Sequence, residues 1–199
     1  MEMKAAAFTL IELLVVITII AVLMGLAFPV FQAVQNAAKK TQAKNDLVQI
    51  VTAVNAYYTE YGKYPVPPGN SDDGYVIGGS GASSGTVLTA LRGSDLVLNP
   101  RQIVFISPPD AKDQTNSRSG IKTSDGQFYD PWGMPYAISI DANYDNQVPN
   151  PYTANAGSTP IRNGVIAWSF GKDMLSGSVP GPAADKNTGT NKDDVISWQ

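Results

Sequence analysis

From Phe8 to Val34 the chain reads FTLIELLVVITIIAVLMGLAFPVFQAV, and Glu12 is the one ionisable side chain in that stretch. A helix needs roughly 20 apolar residues to cross the hydrocarbon core of a bilayer, so this run is long enough to span one. The small residues Ala5, Ala6 and Ala7 precede the run, with Glu2 and Lys4 ahead of them. A secretory signal has the opposite order, its small-residue cleavage site following the apolar region.

The apolar run grades into AAKKTQAKNDLVQIVTAVNAYYTEYG without a turn signal. There Leu47, Ile50, Val51, Val54, Tyr58 and Tyr61 recur at three and four residues, one stripe of a helix, with Lys44, Asp46, Gln49 and Asn55 elsewhere on its surface. The spacing predicts one long helix to about Tyr61, stopped by Gly62 and Pro65. Gly25 and Pro29 are where it is expected to bend or melt locally, because proline removes a backbone donor and crowds the preceding turn. The first half faces lipid; the second needs a domain to pack on.

Composition narrows what that domain can do. The 199 residues include no cysteine and no histidine, which excludes disulfides, thiolate ligands and every Ser-His or Cys-His arrangement. The net charge of −3 leaves no electrostatic footprint for nucleic acid. Beyond Pro65 the pattern becomes short segments between Gly, Pro, Ser and Asn. Asn70 to Gly85 reads as a loop, Thr86 to Arg92 as a short helix, and Ile103–Ile106, Pro135–Ile140, Val165–Phe170 and Val195–Trp198 as strands. The expected fold class is α+β, a long N-terminal helix whose amphipathic half packs on a small antiparallel sheet.

Several motif-like stretches have ordinary explanations. Gly81-Ala82-Ser83-Ser84-Gly85 has the G-x-S-x-G form, but it sits in a Gly/Ser run and no histidine exists to activate Ser83. Asp141-x-Asn143-x-Asp145 starts like an EF-hand loop, yet Asn146 and Tyr152 occupy the places of the required glycine and glutamate, so a polar turn is expected. Tyr57, Tyr58, Tyr61 and Tyr64 could form a stacking surface, but at helical spacing they read as core and lip of the helix-sheet interface.

Glu12 is the sharpest single residue. A carboxylate inside an apolar span costs a few kcal/mol on insertion scales and usually has a partner or a task. It could equally snorkel to the headgroups and benefit from the helix dipole. Position alone leaves both open.

Ala7-Phe8-Thr9-Leu10-Ile11-Glu12-Leu13-Leu14-Val15-Val16 resembles the prepilin cleavage and methylation motif of type IV pilins and pseudopilins. Ala7 stands where that family usually has glycine. Asp130-Pro131-Trp132-Gly133-Met134-Pro135-Tyr136, Ser169-Phe170-Gly171-Lys172-Asp173 and Asp193-Asp194-Val195-Ile196-Ser197-Trp198 are further similar to segments of the major pseudopilin of type II secretion systems. The resemblance implies a pilin-like fold divided as leader 1–7, membrane and filament-core helix 8–34, and amphipathic continuation plus globular domain 35–199. It implies cleavage between Ala7 and Phe8, N-methylation of Phe8, and pairing of Glu12 with the Phe8 amine of a neighbouring copy. The implied function is a non-enzymatic pseudopilus subunit that drives protein export, with a type IV pilus subunit for adhesion, motility or DNA uptake as the alternative. Implied partners are further copies in a helical filament, minor pseudopilins, a prepilin peptidase/methyltransferase, and an inner-membrane platform with its assembly ATPase. The implied location is the bacterial inner membrane, single-pass, with the C-terminal domain outside the cytoplasm. A structural calcium ion is implied at Asp173, Asp193 and Asp194 with the Phe170 carbonyl; hard oxygen donors from irregular loops are what calcium takes.

Overall fold

A computed structural model describes residues 9–69, 75–79, 82–175 and 185–199. Contacts divide the chain into two compact units, Met1–Lys39 and Lys40–Gln199. The leader 1–7 and Phe8 lie outside the described residues.

Helix α1 runs over Leu10–Tyr61 and is assigned without interruption through Gly25 and Pro29, so the helix does not melt there. Its end is where the sequence places it. Gly62 adopts φ +66° and its N–H donates to the Tyr58 carbonyl at 2.8 Å, the left-handed stop that glycine reaches without a Cβ penalty. In the first unit Leu13, Val22, Phe28 and Phe31 are all more than half exposed. The stretch is long and apolar enough to cross a membrane.

In the second unit α1 buries Ala43, Leu47, Ile50, Ala53, Val54 and Tyr57. The buried stripe is rotated slightly from the expected one: Tyr57 is fully buried, whereas Tyr58 is 40% exposed. The shift has a polar reason. The Tyr57 hydroxyl donates to the Leu98 carbonyl at 2.5 Å, giving its polar tip a partner inside the core.

The sheet that receives this stripe is antiparallel and four-stranded, ordered β1 (Tyr75–Ile77), β4 (Ala137–Ile140), β5 (Val165–Ser169), β6 (Val195–Ile196). The pleat sends alternate residues to opposite faces. Ile138, Ile140, Val165 and Ala167 join the α1 core, while Ala137, Ile166 and Trp168 join a second core with Val148, Tyr152, Ala156, Ile161 and Phe170. Both faces of the central strands are therefore covered. The segment between β4 and β5 is the second cover layer, its Val148 and Ile161 exchanging both backbone hydrogen bonds at 2.9 and 3.0 Å.

Helix α2 (Gly85–Leu91) lies where a short helix is expected, and Gly85 N–H donates to Ser83 Oγ at 3.2 Å; Gly81 of the G-x-S-x-G pattern is outside the described residues. Ile103–Ile106 is not a strand. Phe105 and Ile106 instead donate their amides to the Leu91 carbonyl, closing the α2 C-terminus. Strand β1 arises inside the expected loop 70–85, and a two-stranded ribbon of β2 (Gly120–Ile121) and β3 (Phe128–Tyr129) precedes β4. Asp141 accepts the amides of Asp145 and Asn146 at 3.2 and 2.8 Å, so 141–146 is a self-capped polar turn.

Candidate functional site

At the start of α1, Thr9 and Glu12 form a reciprocal cap. The Thr9 amide and hydroxyl both donate to Glu12 Oε2, at 2.8 and 2.7 Å, and the Glu12 amide faces Thr9 Oγ1 at 3.3 Å. This is the T-x-x-E capping box, which satisfies helix donors that have no partner in the first turn. The signal is local, Thr9 three residues before Glu12, but in an apolar run the isolated charge is the more conspicuous feature. Glu12 thus has a partner within its own chain while the rest of its carboxylate stays exposed.

At the other end of the chain, the three segments that carry the pseudopilin resemblance are joined by hydrogen bonds. Asp130 is fully buried, and its Oδ1 accepts the amides of Trp132, Gly133 and Met134 at 2.9, 2.7 and 3.0 Å. Its Oδ2 accepts the Ser169 hydroxyl at 2.6 Å. Burial pushes the Asp130 carboxyl up, and those four donors pull it back. Ser169 Oγ also accepts the Gly171 amide at 3.1 Å. A Cβ on Gly171 would stand 2.4 Å from the Asp193 carbonyl, and the residue has φ +69°, so the turn closes only with glycine there. Asp193 Oδ2 in turn accepts the amides of Lys172 and Asp173, at 2.5 and 3.0 Å.

Asp194 faces a different neighbourhood. It is 5% exposed; Oδ2 accepts the Tyr152 hydroxyl at 2.6 Å, and Oδ1 has no partner among the described residues. Its carboxyl is pushed up to about 7, chiefly by burial and further by Asp193 and Asp173, against the pull of the Tyr152 hydrogen bond and the Lys186 charge. Asp194 and Lys186 line one open recess of about 680 Å³ with Lys40, Lys44 and Ile196. Lys44, on α1, donates through Nζ to the carbonyls of Ile196, at 2.7 Å, and Gln199, tying the final strand to the helix.

Calcium takes six to eight oxygen ligands at flexible geometry. Among the described residues no group of three or more Asp, Glu, His or Cys side chains could hold a metal ion. Asp193 Oδ2 is engaged by two amides, and the Asp173 carboxylate accepts the Leu175 amide at 2.9 Å. A lysine charge already acts on Asp194. As folded, these residues do not fit a resident calcium ion.

Residues 3–28 match the family of the prokaryotic N-terminal methylation motif. A stretch of 57 residues, 29% of the chain, is 39% identical to the type IV major pilin protein PilA of Myxococcus xanthus (strain DK1622). Over its N-terminal stretch the chain is type IV pilin-like. The matched stretch spans 26% of that relative's own length, about a quarter, and no solved structure matches the chain significantly.

For this pilin-like chain the residues that sequence reasoning missed are Thr9, Asp46, Tyr152 and Lys186. Asp46 is expected on the helix surface but is 8% exposed, accepting the Tyr136 hydroxyl at 2.8 Å. Its carboxyl is raised by burial, against that hydrogen bond. Only Thr9 had a local signal. The partners of Asp46 and Asp194 lie 90 and 42 residues away in sequence, beyond the reach of any periodicity.

Proposed function

We propose that this pilin-like chain is a structural subunit of a type II secretion pseudopilus, assembled from the bacterial inner membrane to drive protein export. One observation carries the reading: an exposed apolar helix whose sole charge within Leu10–Val34, Glu12, sits in its first turn, inside the matched methylation motif. In this reading a prepilin peptidase/methyltransferase cuts between Ala7 and Phe8 and methylates Phe8. The new amine pairs with Glu12 of a neighbouring copy, since opposite charges in a low-dielectric helix bundle favour each other and fix axial register. Minor pseudopilins, a membrane platform and an assembly ATPase supply the remaining parts and the force, and the subunit performs no chemistry. The globular unit stands on the extracytoplasmic side. The pseudopilin-like segments joined through Asp130, Ser169 and Asp193, together with the absence of cysteine, support secretion over a surface pilus.

A type IV pilus subunit is the second reading, favoured by the name of the Myxococcus xanthus relative. Deletion of the gene separates them: loss of an exported protein with surface pili intact supports the first, and loss of pili with export intact supports the second. Calcium at Phe170, Asp173, Asp193 and Asp194 is no step of this proposal and is decided by the unfolding experiment below.

The assembly claim has its own test. Glu12→Gln keeps the capping box, because glutamine serves at that position, but removes the charge. Membrane insertion should persist while filament formation fails. Normal filaments from Glu12→Gln would remove the pairing role. Mass spectrometry of assembled subunits should find methylated Phe8 as the first residue.

A further inference from the structure

Lys186 is the one buried lysine among the described residues, 8% exposed. Lysine is almost never buried unless its charge is compensated. Its amide donates to the Ala154 carbonyl at 3.1 Å, pinning it to the layer that covers the sheet's second face. Its Nζ donates to the Asn191 carbonyl at 3.1 Å. That same carbonyl accepts the Asp194 amide at 3.2 Å, and Asn191 Nδ2 donates to the Asp185 carbonyl at 3.1 Å. The stretch 185–194 is thus folded around an ammonium group. A backbone carbonyl holds its Nζ, and the carboxylate of Asp194, which lines the same recess, keeps one oxygen unpartnered among the described residues.

We propose that Lys186 is the resident cation of the terminal segment, occupying the charge-compensating place beside Asp193 and Asp194 that an ion would otherwise take, so that the segment closes without calcium. The arrangement has the parts of an ion site in other hands: a carbonyl donor, a buried carboxylate, and a positive charge supplied by the chain. Burial lowers the Lys186 ammonium's pKa, and Asp194 and Asp193 hold it up, so both signs of charge depend on each other. A divalent cation could enter only by displacing the ammonium, since like charges in a buried site repel strongly. The inference goes beyond the filament reading and stands or falls without it.

The test is thermal unfolding of the full chain in detergent micelles, in excess chelator and in excess calcium chloride, for the parent, Lys186→Met, Lys186→Arg and Lys186→Met/Asp194→Asn. The parent should unfold at the same temperature in both conditions. Lys186→Met should unfold several degrees lower in chelator and recover on adding calcium, whereas Lys186→Arg should stay near the parent and ignore calcium. The double variant should lose the calcium response and unfold above Lys186→Met in chelator, because it no longer carries an uncompensated carboxylate. A parent that rises with calcium as much as Lys186→Met does would overturn the inference and restore calcium as the resident ion. Should Lys186→Met fail to fold, calorimetric titration of the parent decides: saturable one-to-one calcium binding that Asp194→Asn abolishes overturns the proposal, and no binding upholds it.

Discussion

Two stretches of one helix obey opposite rules. Between Leu10 and Lys39 the large side chains Leu13, Val22 and Phe28 are mostly exposed, while from Lys40 onward Leu47, Ile50 and Val54 are fully buried. Both stretches carry large apolar side chains, all round the helix in the first and along one stripe in the second. What differs is what satisfies the apolar surface: the chain's own sheet in one case, and lipid or other copies in the other. An error in the second unit therefore shows in its own unfolding, and an error in the first shows only in what it is embedded in or assembled with.

The largest expected effect that sharpens this contrast is Asp130→Ala. It strands the Ser169 hydroxyl and three backbone amides, each a loss of about 1–3 kcal/mol when buried, so destabilisation on the order of 4–5 kcal/mol is expected in chemical denaturation. Ser169→Ala, which removes one of the four donors and the acceptor of the Gly171 amide, should cost about half of that. Equal losses would mean that Asp130 does not organise the turn.

Next in size is a paired truncation. Ile138→Ala, at a fully buried site facing α1, should destabilise the globular unit by about 2–5 kcal/mol. Leu13→Ala, 56% exposed, should leave that transition where it was. A Leu13→Ala variant that lowers the melting temperature of the globular unit would break the comparison.

The difference between the units also explains what was legible in the sequence. The long helix, its glycine stop and three of the four strands of the main sheet carry local signals: an apolar run, a three-and-four repeat, short β-rich segments between turns. Strand β1 hid in a Gly/Ser/Asn-rich stretch because its place is fixed by pairing with β4 more than 60 residues later. Ile103–Ile106 has strand composition but serves to close α2, a tertiary override of propensity. The same holds for the candidate sites. Asp130 and the Gly171 turn were legible as motifs, though not the hydrogen bonds that join them. Asp46 misled because a charge on an amphipathic helix reads as a solvent face, and only the hydroxyl of Tyr136 makes its burial tolerable.

That pair supplies a smaller test. Tyr136→Phe removes the hydroxyl and leaves the Asp46 carboxylate buried without it, at a cost of about 1–3 kcal/mol. The double variant Tyr136→Phe/Asp46→Leu should recover part of that loss, since removing both partners of a buried polar contact can be nearly neutral. Additive losses would show that the two side chains act independently.

The smallest expected effect is a slope rather than a loss. Burial raises the folded-state carboxyl pKa of Asp46, whereas the unfolded value lies near the ordinary ~3.9. Between those two values the native state binds more protons than the unfolded chain, so this group makes stability fall as pH rises through the window. Its contribution is most favourable on the acid side and is lost by the upper end. Asp46→Asn can still accept from Tyr136 through its carbonyl oxygen but carries no titrating proton. Its unfolding free energy should therefore lose this downward component between about pH 4 and the raised folded pKa. Parallel pH profiles for parent and variant would place the Asp46 charge in solvent, so that the buried stripe of α1 would pass from Ala43 to Leu47 without it.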